Sequence, residues 1–321
     1  MKEQEEFLAE NTKDGGFLQS VYWKEFISKT GKKVFHWRRR GFNGLFVEHS
    51  LPLVGNYWFC PRGPVGRKGE MQSNLGEIFN KARKNKVGWL RLEPQDKEFI
   101  SFVKKEIFSK AVRAPKNHEP EETLVIDLNK DLNQILKEMK SKTRYNIRLS
   151  QKKEVVIKES FSKDDFEGFW RILKETSNRD KIKIYPKEYY REMLRTIPSD
   201  KIKLLTAYSK KDMVGGIIVS FYGGVATYLH GASSDSHRNL MANYGLQWRA
   251  IEIAKRMKMK KYDLGGTAVN SNKENWNGIT KFKRGFCPHE KPIEFPGCYD
   301  FIFNKKKYFL YKLLRKVKKI F

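Results

Sequence analysis

The stretch from Lys261 to Phe286 brings residue types that can do chemistry close together. Its first six residues alternate apolar and polar side chains and end in Gly265 and Gly266, a pattern typical of a strand whose last residues let a ligand approach the backbone. Asp263 lies in this strand, and Phe282 and Lys283 follow a polar loop. We therefore interpret the stretch as one wall of a binding crevice at the carboxyl edge of a sheet. An ordinary strand and turn followed by an exposed lysine is the alternative.

The amino-acid composition limits the classes of function that this protein can have. The 321 residues are 39% hydrophobic and 13% aromatic, which is enough for a buried core and suggests two domains. The formal net charge of +28 indicates a polyanionic partner, which could be nucleic acid, an anionic membrane surface or a phosphorylated substrate, although a lysine-rich composition can also be a habit of the lineage. The three cysteines and six histidines show no ligand spacing, so we expect neither a metal site nor a disulfide framework.

The two ends of the chain bear on its location. The first residues are polar and acidic, unlike a signal peptide, and no apolar run approaches the roughly 20 residues that span a bilayer. The last 18 residues repeat apolar side chains at helical spacing among many lysines. This pattern predicts a helix packed on a domain with a basic outer face, or an interfacial helix attracted to anionic lipid or RNA. We expect a cytoplasmic protein, with peripheral contact at the inner face of the membrane as an option.

The order of elements predicts a duplicated architecture. Each half reads as helices, antiparallel strands, a helix and a further strand, which indicates an α/β (α+β) fold with a repeated unit. We place the domains at residues 1–150 and 151–300, followed by a basic amphipathic helix at 301–321. One helix is predicted to run unbroken from Asp131 to Lys153. Its basic face could bind phosphates or could simply be solvated.

Several separate stretches, in order, resemble one family. They are LQSVYWKEF, PRGPV, WLRLEP, TLVIDL with KSKTRYNIR, YLHGASS, NYGLQWRAIEIAK, KYDLGG and FKRGF. Together they resemble the FemABX family of aminoacyl-tRNA-dependent peptidyltransferases that build the interpeptide bridges of peptidoglycan. The resemblance implies two tandem domains of the GNAT acyltransferase fold. It also implies transfer of an amino acid from aminoacyl-tRNA to an amino group of a precursor stem peptide, without a cofactor, a metal or a covalent enzyme intermediate.

The resemblance also implies roles for individual residues. Lys283 matches the lysine of a Phe-Lys pair at the reaction centre, where its charge would stabilise the oxyanion or the leaving ribose oxygen. Glu93 matches an acid that faces the acceptor amine and could orient it or take its proton, although a strand-end ion pair is equally compatible. The expected substrate-binding residues are Phe282, Tyr189, Tyr185, His230, Asp263, Gly265, Gly266 and Trp23. The expected phosphate or tRNA contacts are Arg144, Arg148, Lys183 and Lys187.

Departures from the family pattern bear on the acceptor more than on the reaction. The family often has an arginine before the proline at position 186, and here that residue is Tyr185. Lys183 or Lys187 could supply a point charge in its place, but a lysine cannot form the two parallel hydrogen bonds that an arginine makes to a phosphate. His230 stands where a tyrosine is expected. The precursor could therefore be lipid-linked or nucleotide-linked, and we expect a monomer.

Two other functions stay open. An acyl-CoA-dependent N-acyltransferase would share the fold, although the residues from Arg238 to Asn243 lack the glycines with which such enzymes cradle a pyrophosphate. A non-catalytic protein that binds RNA or membrane would also explain the charge.

Overall fold

The strands predicted near the start form an antiparallel meander of β1 (Val34–Arg39), β2 (Phe42–Leu51) and β3 (Gly55–Cys60). The computed structural model describes residues 2–107, 111–160, 162–270 and 276–320, with side chains described up to residue 317 at the end of the chain. The polar loop at 271–275 and the last basic side chains of the predicted tail therefore lie outside the described residues. Contacts divide the chain into two units.

Unit 1 contains Met1–Glu121 and Glu294–Phe321. Its further strands are β4 (Val65–Gly66), β5 (Trp89–Leu92), β6 (Ala111–Arg113) and β14 (Tyr299–Ile302). The sheet has the order β1-β2-β3-β5-β14-β6, and β4 pairs with β2. The helices are α1 (Lys2–Asn11), α2 (Val21–Lys29), α3 (Lys68–Lys84), α4 (Lys97–Glu106) and α11 (Lys305–Ile320), with a 3₁₀ turn at Phe17–Gln19. The apolar faces of α3 and α4 pack on this sheet.

Unit 2 contains Glu122–Ile293. Its sheet has the order β7-β12-β11-β10-β9-β8, with β13 (Ile293–Glu294) beside β7. The strands are β7 (Glu122–Asp127), β8 (Val156–Ser160), β9 (Ile202–Ser209), β10 (Asp212–Tyr222), β11 (Val225–Ser233) and β12 (Lys261–Gly266). The helices are α5 (Leu132–Glu138), α6 (Ser141–Lys152), α7 (Lys163–Asp180), α8 (Lys187–Thr196), α9 (Ala242–Arg256) and α10 (Asn277–Phe286), with a 3₁₀ turn at Arg238–Leu240. Apolar residues of β9, β10, β12 and α9 form its core.

The units divide the chain at other points than the predicted domains. The predicted boundary at residue 150 lies inside unit 2, because β7 pairs with β12 and Ile147 of α6 belongs to the unit 2 core. The predicted boundary at residue 300 lies inside β14, which pairs with β5 and β6 of unit 1. Pairing between strands so distant in sequence leaves no local signal, so hydrophobic periodicity alone does not locate these boundaries.

The helix predicted to run unbroken from residue 131 to 153 is two helices. Met139 and Lys140 have extended backbone, with ψ of 154° and 144°. The Lys140 amide donates to the Gly285 carbonyl at 2.9 Å, and the Arg144 guanidinium donates to the carbonyls of Lys137 and Met139. A tertiary contact and a side-chain cap thus replace the helical hydrogen bonds at this break.

Candidate active site

The candidate site begins where β11 and β12 stop pairing. The two strands are parallel and pair only from Val225 with Lys261 to Thr227 with Asp263. Beyond that point β11 has a bulge, since Val219 of β10 pairs with Tyr228 while Ile218 pairs with His230. On its other side β12 changes register against β7 between Asp263 and Gly266. Such irregularities end a ladder and redirect side chains, so regular pairing stops on both sides of the end of β12.

Gly265 lies at this strand end and has to be a glycine for two reasons. Its φ of +72° falls in the left-handed region, which side chains with a Cβ rarely adopt. A Cβ at this position would also lie 2.7 Å from the Tyr228 carbonyl oxygen and 3.5 Å from the Lys283 Nζ. The two predicted residues Gly265 and Lys283 are therefore neighbours in space, as the sequence interpretation requires.

Lys283 extends from α10 and is buried, not exposed as the alternative interpretation would have it. Its Nζ donates to the Gly266 carbonyl at 2.7 Å and lies 5.4 Å from the centre of the Tyr228 ring. Burial lowers the pKa of Lys283 to about 8, against the opposing effect of the Asp263 carboxylate. A buried amine whose pKa lies near neutrality can carry a positive charge or exchange a proton at working pH.

Asp263 shapes the end of β12. Its Oδ1 accepts hydrogen bonds from the Gly265 amide at 2.7 Å and from the Thr123 hydroxyl. The Thr123 hydroxyl also lies 2.9 Å from the Gly265 carbonyl oxygen. These contacts hold Gly265 in its left-handed conformation, so the described contacts of Asp263 are those of a residue that positions the site.

Thr267, which the sequence analysis did not single out, directly follows the strand end. Its neighbours are tied to α10, because the Gly266 carbonyl accepts from Lys283 and the Ala268 amide donates to the Thr280 hydroxyl at 3.1 Å. The Thr267 hydroxyl is buried and has no hydrogen-bond partner among the described residues. The Thr267 hydroxyl can therefore form one more hydrogen bond. Leaving a buried hydroxyl unsatisfied costs about 1–3 kcal/mol, so a partner here would be stabilising. A threonine after two glycines is the only signal in the sequence.

Phe282 faces the core beside Lys283. Its ring is 5.0 Å from Tyr244 and 5.3 Å from Phe286, with an edge-to-face arrangement in both pairs. These rings fix α10 on the unit 2 core, and so fix the origin of the Lys283 side chain.

An aromatic cluster lies farther along β11. The rings of Tyr185 and Tyr189 stack at 4.0 Å, and His230 lies 6.4 Å from Tyr185 and 5.0 Å from Tyr190. The Tyr190 hydroxyl accepts from the Tyr185 amide at 3.2 Å. Burial lowers the pKa of His230 to about 4, so the imidazole is neutral near pH 7. The structure thus brings together three predicted residues and adds Tyr190.

The four predicted phosphate contacts differ in what they touch. Lys187 forms an ion pair with Glu167, which Arg191 also contacts at 3.3 Å. Arg144 caps backbone carbonyls and lines a cavity of about 660 Å³. Arg148 and Lys183 are exposed to solvent. Exposed cations are the ones that a phosphate can reach without breaking an existing contact.

Two predicted residues belong to unit 1. Glu93 is completely buried and accepts from the amides of Glu119 at 3.0 Å and Arg62 at 3.4 Å. Burial and the Glu93 charge raise the pKa of Glu119 to about 7. Trp23 packs edge-on against Phe26 at 5.1 Å. Glu93 therefore has the contacts of a buried structural carboxylate, and its role toward an amine stays a prediction.

The turn that precedes α9 bears on acyl-CoA as the alternative donor. Met241 directly precedes α9 and has a φ of +54° without being glycine, and it provides no side-chain cap. Arg238 pairs with Asp235 at 2.8 Å. This turn therefore lacks the glycines that let a phosphate approach helix amides closely.

Comparisons of sequence agree with one another. The FemAB family model matches residues 107–213 and 202–316. A lipid II:glycine glycyltransferase of Staphylococcus haemolyticus is 23% identical over 268 residues, which are 62% of this chain and 62% of the relative. A protein of the same name from Staphylococcus epidermidis is 31% identical over 125 residues, 38% of this chain and 28% of the relative. The chain thus spans less than two thirds of the length of these relatives.

Comparisons of structure show the fold. FemX superposes with a TM-score of 0.79 at 17% identity, covering 97% of this chain and 98% of FemX. A tandem GNAT protein from the clavulanic acid biosynthesis pathway superposes with a TM-score of 0.54 at 12% identity, covering 84% of this chain and 82% of that protein. The predicted fold of two tandem GNAT-like domains is confirmed.

Proposed function

Because the chain belongs to the FemAB family, we propose that it is an aminoacyltransferase that extends a peptidoglycan precursor. The donor is an aminoacyl-tRNA, and the acceptor is an amino group of the precursor stem peptide. The lipid II:glycine glycyltransferases among its relatives support the precursor as substrate. The observation that carries the proposal is the buried Lys283 amine at the point where β11 and β12 stop pairing.

The reaction requires little of the protein beyond placement and charge. An aminoacyl ester is already activated, so attack by an amine needs approximation, a route for the proton and positive charge near the developing oxyanion. The Lys283 ammonium supplies that charge in a water-poor setting, and the absence of a side chain at Gly265 lets the strand end pack beside this amine. The Thr267 hydroxyl, without a described partner, supplies a second hydrogen bond to the same oxygen or to the leaving ribose oxygen.

The aromatic cluster is the proposed site for the acceptor. The stacked rings of Tyr185 and Tyr189 and the neutral His230 offer flat, weakly polar surfaces. Lys187 is held by Glu167, whereas Lys183 is exposed. Lys183 is therefore the better point charge for a precursor diphosphate where the family's arginine is missing.

The test is transfer of label from a radiolabelled aminoacyl-tRNA pool to soluble and lipid-linked muropeptide precursors. We expect transfer by the wild-type protein and a loss of about 10²–10³-fold in the Lys283→Ala variant. Lys281→Ala, an exposed lysine on the same helix, is the matched control and should keep full activity. The product identifies both the amino acid and the acceptor.

Other outcomes would redirect the proposal. Acylation of an amine only when acyl-CoA is supplied would establish the acyl-CoA-dependent alternative. Tight binding of any RNA with no product under any condition would favour a binding protein.

A further inference from the structure

The last helix exposes an apolar strip on the side away from its packed face. Tyr308 and Tyr311 of α11 are buried against unit 1. Phe309 is 69% exposed, Leu313 48% and Val317 44%. These three residues follow at intervals of four, so they lie along one side of the helix. A large aromatic ring and two aliphatic side chains thus face solvent together.

A loop that packs against the same cluster exposes another large apolar side chain. Leu53, in the turn between β2 and β3, is 87% exposed and has a left-handed φ of 66°, which is uncommon for leucine. Its neighbour Val54 packs in the same cluster as α11, and a Cβ added at Gly55 would lie 3.1 Å from the Lys307 Nζ. Leu53 and Phe309 are the two most exposed large apolar side chains in the described part of the chain. Leu53, Phe309, Leu313 and Val317 are called the apolar surface below.

Positive charge surrounds the apolar surface. The helix from residue 305 to 320 contains no acidic residue. By helical geometry, exposed lysines lie on both sides of the apolar strip. They are Lys305, Lys306, Lys312 and Lys316. An RNA partner would neutralise these lysines but would leave the phenylalanine and leucines in water, whereas an anionic bilayer satisfies both sets of side chains.

We propose that the apolar surface docks the protein onto an anionic lipid bilayer, with the lysines among the headgroups and Phe309 and Leu53 at the acyl boundary. This inference does not depend on the proposed transfer reaction. It places α11 parallel to the bilayer, because the opposite side of the helix is packed on unit 1.

The first test is flotation of the full chain with vesicles of phosphatidylcholine alone or with about one third phosphatidylglycerol. We expect binding to the anionic vesicles only, and a loss of at least about tenfold in partition for Phe309→Ser/Leu313→Ser. The matched control is Val156→Ser/Ile182→Ser, which removes two apolar side chains that are 61% and 49% exposed in unit 2. The control should bind as the wild type does. Equal binding by both double variants would overturn the proposal.

A second measurement does not depend on a destabilising change. The three cysteines are buried, so Leu53→Cys can be labelled selectively with an environment-sensitive fluorophore. We expect a blue shift on adding the anionic vesicles, and no shift for the same label at Ile182→Cys. A blue shift on adding tRNA but not vesicles would assign the surface to RNA and overturn the membrane proposal. Transfer to a soluble acceptor serves as a separate readout, since Leu53, Phe309 and Leu313 belong to unit 1 and Lys283 belongs to unit 2.

Discussion

At the scale of single residues, the site depends on two polar groups that the fold buries at a cost. The Lys283 amine has one described hydrogen bond, to Gly266, and its charge is weakly solvated. The Thr267 hydroxyl has none among the described residues. Residues in such settings are retained where a substrate supplies the missing partner, which is the reason we place the reacting oxygen beside them.

Lys283 should make stability depend on pH. Its pKa is about 8 in the folded chain and 10.5 when unfolded, so the unfolded state holds more protons between these values and stability rises with pH there. From pH 7.5 to 9.5 the free energy of unfolding of the wild type should rise by about 2 kcal/mol relative to that of Lys283→Met. Urea unfolding at both pH values measures this gain, with Lys281→Met as reference. A parallel pH dependence in wild type and Lys283→Met would contradict the buried charge.

Replacing Thr267 should separate stability from activity. Thr267→Val keeps the shape but removes a hydroxyl without a described partner, so we expect unchanged or slightly higher stability. Under the proposed function transfer should fall by about tenfold or more, since the variant cannot donate a hydrogen bond to the reacting oxygen. Thr123→Val is the contrasting variant, because its hydroxyl bonds to Asp263 and its loss should cost about 1–2 kcal/mol. Full activity of Thr267→Val would show that its hydroxyl does not contact the substrate.

At the scale of elements, the end of β12 carries the residues of the proposed site. Asp263 holds the strand end, Gly265 turns it, and Gly266 presents a carbonyl to α10. The bulge in β11 faces this end and separates Tyr228 from the aromatic cluster around His230. The proposed site therefore coincides with the strand irregularities that interrupt the sheet.

A side chain at Gly265 should damage this element. Gly265→Ala would place a Cβ 2.7 Å from the Tyr228 carbonyl oxygen at a left-handed φ. We expect its free energy of unfolding to fall by about 2 kcal/mol or more, and most transfer activity to be lost. Gly278→Ala, in α10 with nothing within 4 Å, should be neutral or stabilising by up to about 1 kcal/mol. Thermal unfolding of both variants is the measurement. Equal midpoints would show that the strand end relaxes without cost.

At the scale of the whole molecule, the chain leaves unit 1 after residue 121 and returns to it at residue 294. The returning strand β14 lies between β5 and β6. A buried ion pair fastens it, since Asp300 accepts two hydrogen bonds of 2.7 Å from Arg91 and a third from the Tyr308 hydroxyl at 2.8 Å.

No helix among the described residues is long and apolar enough to cross a membrane.

Breaking this pair should destabilise unit 1 selectively. Asp300→Asn leaves the buried Arg91 charge without its counterion, which typically costs about 3–5 kcal/mol. Glu77→Gln, which breaks an exposed pair with Arg39 at 3.7 Å, should cost less than about 1 kcal/mol. Hydrogen exchange should show lost protection in β5 and β14 and retained protection in β10. Equal loss in β10 would mean that the two units unfold as one.

The sequence by itself determined the type and order of most elements, and it located the Asp263, Gly265 and Lys283 constellation. Alternation and helical spacing report which side of an element is buried, and glycine reports where the backbone turns. Motif order was enough to indicate the family, although no single motif was specific.

Only the tertiary structure decided which partners these elements have. It assigned β7 and β14 to units other than those expected, and it divided at Met139 the helix predicted from residue 131 to 153. It also buried Glu93 and left the Thr267 hydroxyl without a hydrogen-bond partner among the described residues. Each of these outcomes depends on contacts between residues far apart in the chain. A local pattern encodes how much of a side chain is buried, but not which distant strand, carbonyl or carboxylate it will meet.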